Sequence, residues 1–149
     1  MKERNKPELR AYNTIAVIQT AFLGDVALAL PLAQAIKNEH HSCRLLFVTT
    51  PQAEELVKLS DAVDKVIVYD KRRIHNGLAG IRQISEILKE NKTELIISPH
   101  RSLRTTLLSR FAKPKLSIGF DVNSFSFLYD FRVKYRTEKH EIDRDLSLL

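Results

Sequence analysis

Four short runs constrain this chain most: TIAVIQT (14–20), CRLLFVTT (43–50), DKVIVYD (64–70) and TELIISP (93–99). Each is apolar at consecutive rather than alternate positions and rich in β-branched side chains, the pattern of a strand covered on both faces. Helical patterns separate them. PQAEELVKLS opens with Pro51 at a favoured first-turn position behind Thr50 as a cap. GIRQISEILKEN sets Ile81, Ile84, Ile87 and Leu88 on one stripe, and RSLRTTLLSRFA does the same with Leu103, Leu107, Leu108 and Phe111. Strand and helix alternating in this way, ending on a fifth strand, predict a parallel sheet with right-handed crossovers and helices on both faces. The expected fold class is α/β: a Rossmann-like, doubly wound parallel sheet.

The 149 residues, 44% of them apolar, suffice for one domain with a real core. Cys43 is the only cysteine, so no internal disulfide and no cysteine metal cluster can form, which fits a reducing, cytoplasmic setting. The longest apolar stretch, Val26 to Ile36, is interrupted by Pro31 and Gln34 and is too short to span a bilayer. MKERNKPELR is charged but leads into no uninterrupted apolar segment, so no signal peptide is expected.

A net charge of +6 indicates an acidic partner without choosing among nucleic acid, anionic lipid and a phosphorylated small molecule. Its distribution says more. Between Glu94 and Asp121 there is no acidic residue, while Arg101, Arg104, Arg110, Lys113 and Lys115 all fall there. Lys71, Arg72, Arg73 and His75 form a second basic group behind the third strand. Phenylalanine and tyrosine do not interleave with these bases as a stacking platform would, so no nucleic-acid partner is expected.

Folds of this kind bind ligands outside the carboxyl ends of their strands. Three segments meet there: the turn Thr20 to Asp25, the group Lys71 to His75, and SPHRSLR (98–104). The first turn, TAFLGDVA, has neither the clustered glycines of a dinucleotide fingerprint nor a Gly-Lys-Ser/Thr ending, and Asp25 would repel a phosphate at the helix start. That excludes an NAD or ATP site in this turn. Two readings of Asp25 stay open. It can cap the following helix, contributing about 1 kcal/mol, or it can take a proton from a substrate hydroxyl, and the two are compatible. Pro31 predicts either a short, irregular first turn or a kink. Arg104, Arg110 and Lys71 to Arg73 can equally be solvated surface, and His100 a loop or capping residue.

The blocks VIQTAFLGDVALALPLAQAIK, LLFVTTPQAEELVKLSDAVDKVIVYDKR, LIISPHRSLRTTLLSRFAKPKLSIGFD and HEIDRDLSLL resemble consecutive segments of the ADP-heptose:lipopolysaccharide heptosyltransferases, of the heptosyltransferase II type. The likeness runs from Thr14 onward, and its most specific element is the Gly24-Asp25 turn before a proline-containing apolar segment. It implies a GT-B glycosyltransferase whose N-terminal Rossmann-like domain binds the lipopolysaccharide inner core and whose C-terminal domain binds ADP-heptose. It also implies that Asp25 is the general base of an inverting, metal-independent transfer, with Thr20 beside it in the same loop. The acceptor's carboxylates and phosphates then need cations, for which arginine offers planar bidentate donors. Arg101 and Arg104 are the first candidates, with His100, Lys71, Arg72 and Arg73 behind them.

On this resemblance residues 1–13 form an N-terminal tail, 14–136 the acceptor-binding domain, and 137–149 a segment leading towards a C-terminal nucleotide-sugar domain that the 149 residues do not include. No cofactor is expected, since the ADP-heptose donor belongs to that second domain, and the chain is expected to be inactive alone. The expected partner is an anionic inner-core acceptor, Kdo-lipid A or its heptosylated form, met in the cytoplasm or at the cytoplasmic face of the inner membrane. The alternative is a stand-alone, non-catalytic domain that binds an anionic glycolipid or a partner protein. Phe125, Phe127, Leu128 and Phe131 form a dense apolar group suited to self-association if left exposed.

Overall fold

The computed structural model describes residues 6–122 and 125–149. The first five residues of the expected tail, and Asn123 and Ser124 of the aromatic segment, lie outside the described residues. Six strands form one sheet: β1 (Thr14–Ile18), β2 (Arg44–Thr49), β3 (Lys65–Val68), β4 (Leu95–Ser98), β5 (Leu116–Phe120) and β6 (Phe131–Val133). Every pairing is parallel, and the order is β3-β2-β1-β4-β5-β6. The helices are α1 (Leu23–Glu39), α2 (Glu54–Lys58), α3 (Gly77–Glu90), α4 (Leu103–Ala112) and α5 (Glu141–Leu146).

The continuous apolar runs have a direct cause. Successive strand side chains point to opposite faces, and here both faces are covered. Ile15, Val17, Leu45, Phe47, Leu95 and Ile97 join Val26, Ala29, Leu32 and Ile36 of α1 in one core, which also takes Leu9 and Leu148. Ala16, Ile18, Leu46, Val48 and Ile96 join Ile81, Ile84 and Leu88 of α3 and Leu108 of α4 in the other. Full burial of each such leucine or isoleucine contributes roughly 1.5–3 kcal/mol, so no strand position of this kind tolerates a polar side chain cheaply.

Three local features differ from the sequence reading, and a fourth, the passage of α1 through Pro31, leaves the kink alternative standing. The sequence reading does not anticipate β6; it follows a link that holds one short 3-10 turn (Ser126–Leu128) in place of an α-helix, with Tyr129 lying over Gly119, where an added Cβ would stand 2.3 Å from the Tyr129 ring. Asp25 is not the N-cap of α1. Phe22 holds that place in an extended conformation, and Asp25, in the first turn, reaches back so that its Oδ2 accepts the Phe22 N–H at 3.1 Å. α1 continues past Pro31 to Glu39, because the apolar face of the helix is buried on both sides of the proline and packing outweighs one absent hydrogen bond. Thr50 stands at the N-cap before Pro51 but makes no side-chain capping bond.

The stripe expected on α4 is also rotated. Leu103 is exposed and Leu107 and Phe111 are half-buried, whereas Thr105, Thr106 and Ser109 are buried with Leu108. Polar groups face inwards there because each finds a partner: Ser109 Oγ meets Ser98 Oγ at 3.2 Å, Thr106 Oγ1 donates to Tyr129 Oη at 3.4 Å, and Thr105 Oγ1 lies 3.2 Å from His100 Nδ1.

A candidate acceptor site at the switch point

The strand order reverses between β1 and β4, which both start at the middle of the sheet and send their crossovers to opposite sides. A crevice at their carboxyl ends is the favoured ligand position in such sheets. The segment after β1 carries Thr20 and Asp25; the segment after β4 carries His100 and Arg101. Thr20 Oγ1 lies 3.0 Å from His100 Nδ1, closing the two segments on each other. Lys71, after β3, donates from Nζ to the Thr20 carbonyl oxygen at 2.8 Å. Thr20, Lys71 and His100 are thus brought into one bonded group.

Each is positioned by local structure. Gln19 Oε1 accepts the Ala21 N–H at 3.1 Å and so turns the chain out of β1. His100 Nδ1 is shared by the hydroxyls of Thr20 and Thr105, and Ser102, the N-cap of α4, accepts the Thr105 N–H on its side chain. With Nδ1 occupied, Nε2 is the ring nitrogen that can meet a ligand. The turn bearing Lys71 is tied by His75, whose Nδ1 accepts the Asp70 N–H at 3.0 Å. Gly80 lets α3 pack under it, since a Cβ there would stand 2.0 Å from the His75 carbonyl oxygen.

The electrostatics follow from burial and crowded positive charge. Burial first, then the Lys71 charge, press the His100 pKa down to about 4, against a smaller upward pull from Asp25, so the imidazole is neutral at physiological pH. Burial, with the charges of Arg104 and Arg72, lowers the Lys71 pKa as well. Burial raises that of Tyr69, which follows β3, and the Arg104 charge opposes the rise. Arg72, Arg73 and Arg104 are exposed at the rim. Arg101 stacks on the Tyr135 ring, its guanidinium carbon 4.1 Å from the ring centroid, and Arg144 stacks on the same ring at 4.8 Å.

The chain after β6 therefore forms part of the rim. Reading the sequence missed Tyr135, Thr105 and Asp145 here. Thr105 could have been found from the Ser-x-x-Thr spacing at a helix start; nothing local marks the other two. Among the described residues no group of three or more His, Cys, Asp or Glu side chains is placed to hold a metal ion, and no helix is long and apolar enough to cross a membrane.

The six-stranded parallel sheet with flanking helices is a Rossmann-like fold that matches GT-B glycosyltransferase structures. Three solved structures carry that statement further. A family 9 glycosyl transferase from Veillonella parvula superposes with a TM-score of 0.85 at 22% identity, over 91% of this chain and 40% of that one. Heptosyltransferase WaaC of E. coli with ADP gives 0.77 at 19% identity, over 91% and 45%. ADP-heptose lps heptosyltransferase II of E. coli gives 0.71 at 16% identity, over 91% and 39%. At these identities the likeness establishes the fold. The chain spans less than half the length of each of these structures. No protein-family model matches it, and no curated protein matches it in sequence.

Proposed function

We propose that this chain is the acceptor-binding part of a glycosyltransferase that moves heptose from ADP-heptose to the lipopolysaccharide inner core. The observation that carries the reading is the bonded group Thr20–His100–Lys71 at the switch point, within the field of Asp25, Arg101 and Arg104, in a fold shared with heptosyltransferases.

Asp25 is the general base. Its carboxylate sits at the carboxyl end of β1 and is oriented by the Phe22 N–H. It takes the proton of an acceptor hydroxyl as that oxygen attacks the anomeric carbon and ADP departs. Neutral His100 contributes a hydrogen bond from Nε2 without adding charge, while Lys71, Arg72, Arg73, Arg101 and Arg104 meet the acceptor's carboxylates and phosphates. The 149 residues supply the acceptor side and transfer nothing by themselves. Because the acceptor is lipid-linked, the site works at the cytoplasmic face of the inner membrane, where the exposed Phe22, Leu23, Ile74 and Leu78 lie on the same sheet edge as the basic turn.

The test pairs this chain's site with a donor domain. With a donor domain joined to these 149 residues, Asp25→Asn should lower transfer from ADP-heptose to a Kdo-lipid by about 10²–10⁴-fold while acceptor binding persists. Unchanged transfer by that variant, or full transfer by the 149 residues alone, would overturn the proposal.

A further inference from the structure

Two arginines share one ring, and they are engaged differently. Arg101, in the segment after β4, and Arg144, on α5, both stack on Tyr135, with guanidinium carbons 4.1 and 4.8 Å from the ring centroid. Arg144 pairs with Glu141 and donates from Nη1 to the Thr137 carbonyl oxygen at 3.3 Å. Arg101 is exposed, and no acceptor among the described residues takes any of its N–H groups. A ring contact occupies the face of a guanidinium and leaves its edge, with five N–H donors, in the plane. An arginine that serves only to join two segments turns that edge to protein acceptors, as Arg144 does. Arg101 keeps it open, one residue after His100 at the carboxyl edge of the sheet.

The ring is held in turn. Tyr135 is half-buried, meets Phe120 edge-on with centroids 5.2 Å apart and planes at 83°, and donates its backbone N–H to Asp121 Oδ1 at 3.0 Å. The chain beyond it is anchored, since α5 packs on α1 and Leu148 enters the core. The Tyr135 hydroxyl makes no hydrogen bond among the described residues, so it is the face of the ring that is used.

We propose that Tyr135 is a positioning residue: it holds the Arg101 guanidinium by its face and so presents the donor edge as a preformed fork to a carboxylate or phosphate of the acceptor. Arg101 touches the anion, and Tyr135 acts only through it. A mobile arginine gives up rotamer freedom when it grips a ligand, whereas a stacked one has already given it up. Glu141 compensates the charge of Arg144, which leaves Arg101 as the uncompensated cation at the ring. The inference rests on the acceptor reading proposed above and extends that site to the chain after β6.

Calorimetric titration of the 149-residue chain with a Kdo-containing inner-core oligosaccharide tests it. Tyr135→Leu should weaken binding about fivefold or more, and Tyr135→Phe, which keeps the ring face, should bind within about twofold of the wild type. In an Arg101→Ala background Tyr135→Leu should cost nothing further, because the two residues act as one unit. A Tyr135 needed only for the fold would weaken both backgrounds alike, and that result would overturn the inference. If Tyr135→Leu does not fold, Arg101→Lys gives an independent reading. It keeps the charge but not the planar fork, so it should lose as much affinity as Arg101→Ala, and full affinity would overturn the inference. The dephosphorylated oligosaccharide separates the two anions: a Tyr135 effect that persists assigns the fork to a carboxylate, and one that vanishes assigns it to a phosphate. Equal binding by the wild type and Tyr135→Leu would sink this inference alone. A wild type that binds no oligosaccharide would sink the acceptor reading and this one with it.

Discussion

The hydroxyl of Thr20 and the Nδ1 of His100, 80 positions apart in the chain, lie 3.0 Å apart across the point where the sheet reverses its strand order. This bond joins the carboxyl ends of the two central strands and engages the Nδ1 of His100. Thr20→Val keeps the shape and removes the hydroxyl. It should cost about 1 kcal/mol in urea denaturation, the usual net worth of one hydrogen bond, and leave the Lys71 bond intact because that bond uses the Thr20 carbonyl.

His100 should titrate far below an exposed histidine. Its folded pKa of about 4 lies under the ordinary 6.5, so the unfolded chain binds this proton more readily. The stability it contributes is complete above about pH 6.5 and is lost as pH falls through 4. Imidazole proton NMR gives the midpoint directly, and a value at 6.5 would contradict the buried neutral ring.

Asp145 has the opposite sign. Its folded pKa, pushed by burial to about 7, is above the ordinary aspartate value of 3.8, so the stability linked to its proton is complete below about 3.8 and is lost as pH rises through 7. Asp145→Asn should be more stable than the wild type at pH 8, by up to about 4 kcal/mol, less whatever the amide leaves unbonded. Between pH 4 and 6.5 the His100 and Asp145 trends oppose one another in the wild type. Denaturation at a series of pH values should therefore show stability rising across that window only in the variant.

Gly80→Ala should damage both stability and the site. The new Cβ would press on the His75 backbone, which cannot retreat as a flexible side-chain tip could. A loss of about 1–3 kcal/mol is expected, as for overpacking, together with weaker binding of anionic oligosaccharide through the displaced Lys71 turn. Unaltered binding would show that the turn does not reach the acceptor.

Much of this molecule was legible in its residues, for reasons that differ by element. The runs at 14–20, 43–50, 64–70 and 93–99 announce parallel strands because both sheet faces are covered, although 64–70 forms the edge strand β3. β6 escaped because three residues, one exposed and two half-buried, carry no period. The face of α4 does not follow its leucines, because Thr105, Thr106 and Ser109 are buried by hydrogen bonds that involve His100, Tyr129 and Ser98. Thr20, Lys71 and His100 could be placed at one sheet edge from strand ends alone. Asp145 could not, since its significance arises from the packing of α5 on α1.

The central claim is that the carboxyl edge around Thr20, Asp25 and His100 binds an anionic inner-core sugar. Amide NMR of the 149-residue chain titrated with a Kdo-containing inner-core oligosaccharide tests it most directly. The account predicts saturable shifts at Thr20, Asp25, Lys71, His100, Arg101 and Arg104, reduced in Arg101→Ala. The opposite edge of the sheet is the internal control, because a concavity lined by Lys89, Lys92, Lys113 and Lys115 offers positive charge without the site. Shifts confined to those lysines, or no saturable shift at the carboxyl edge, would contradict the account.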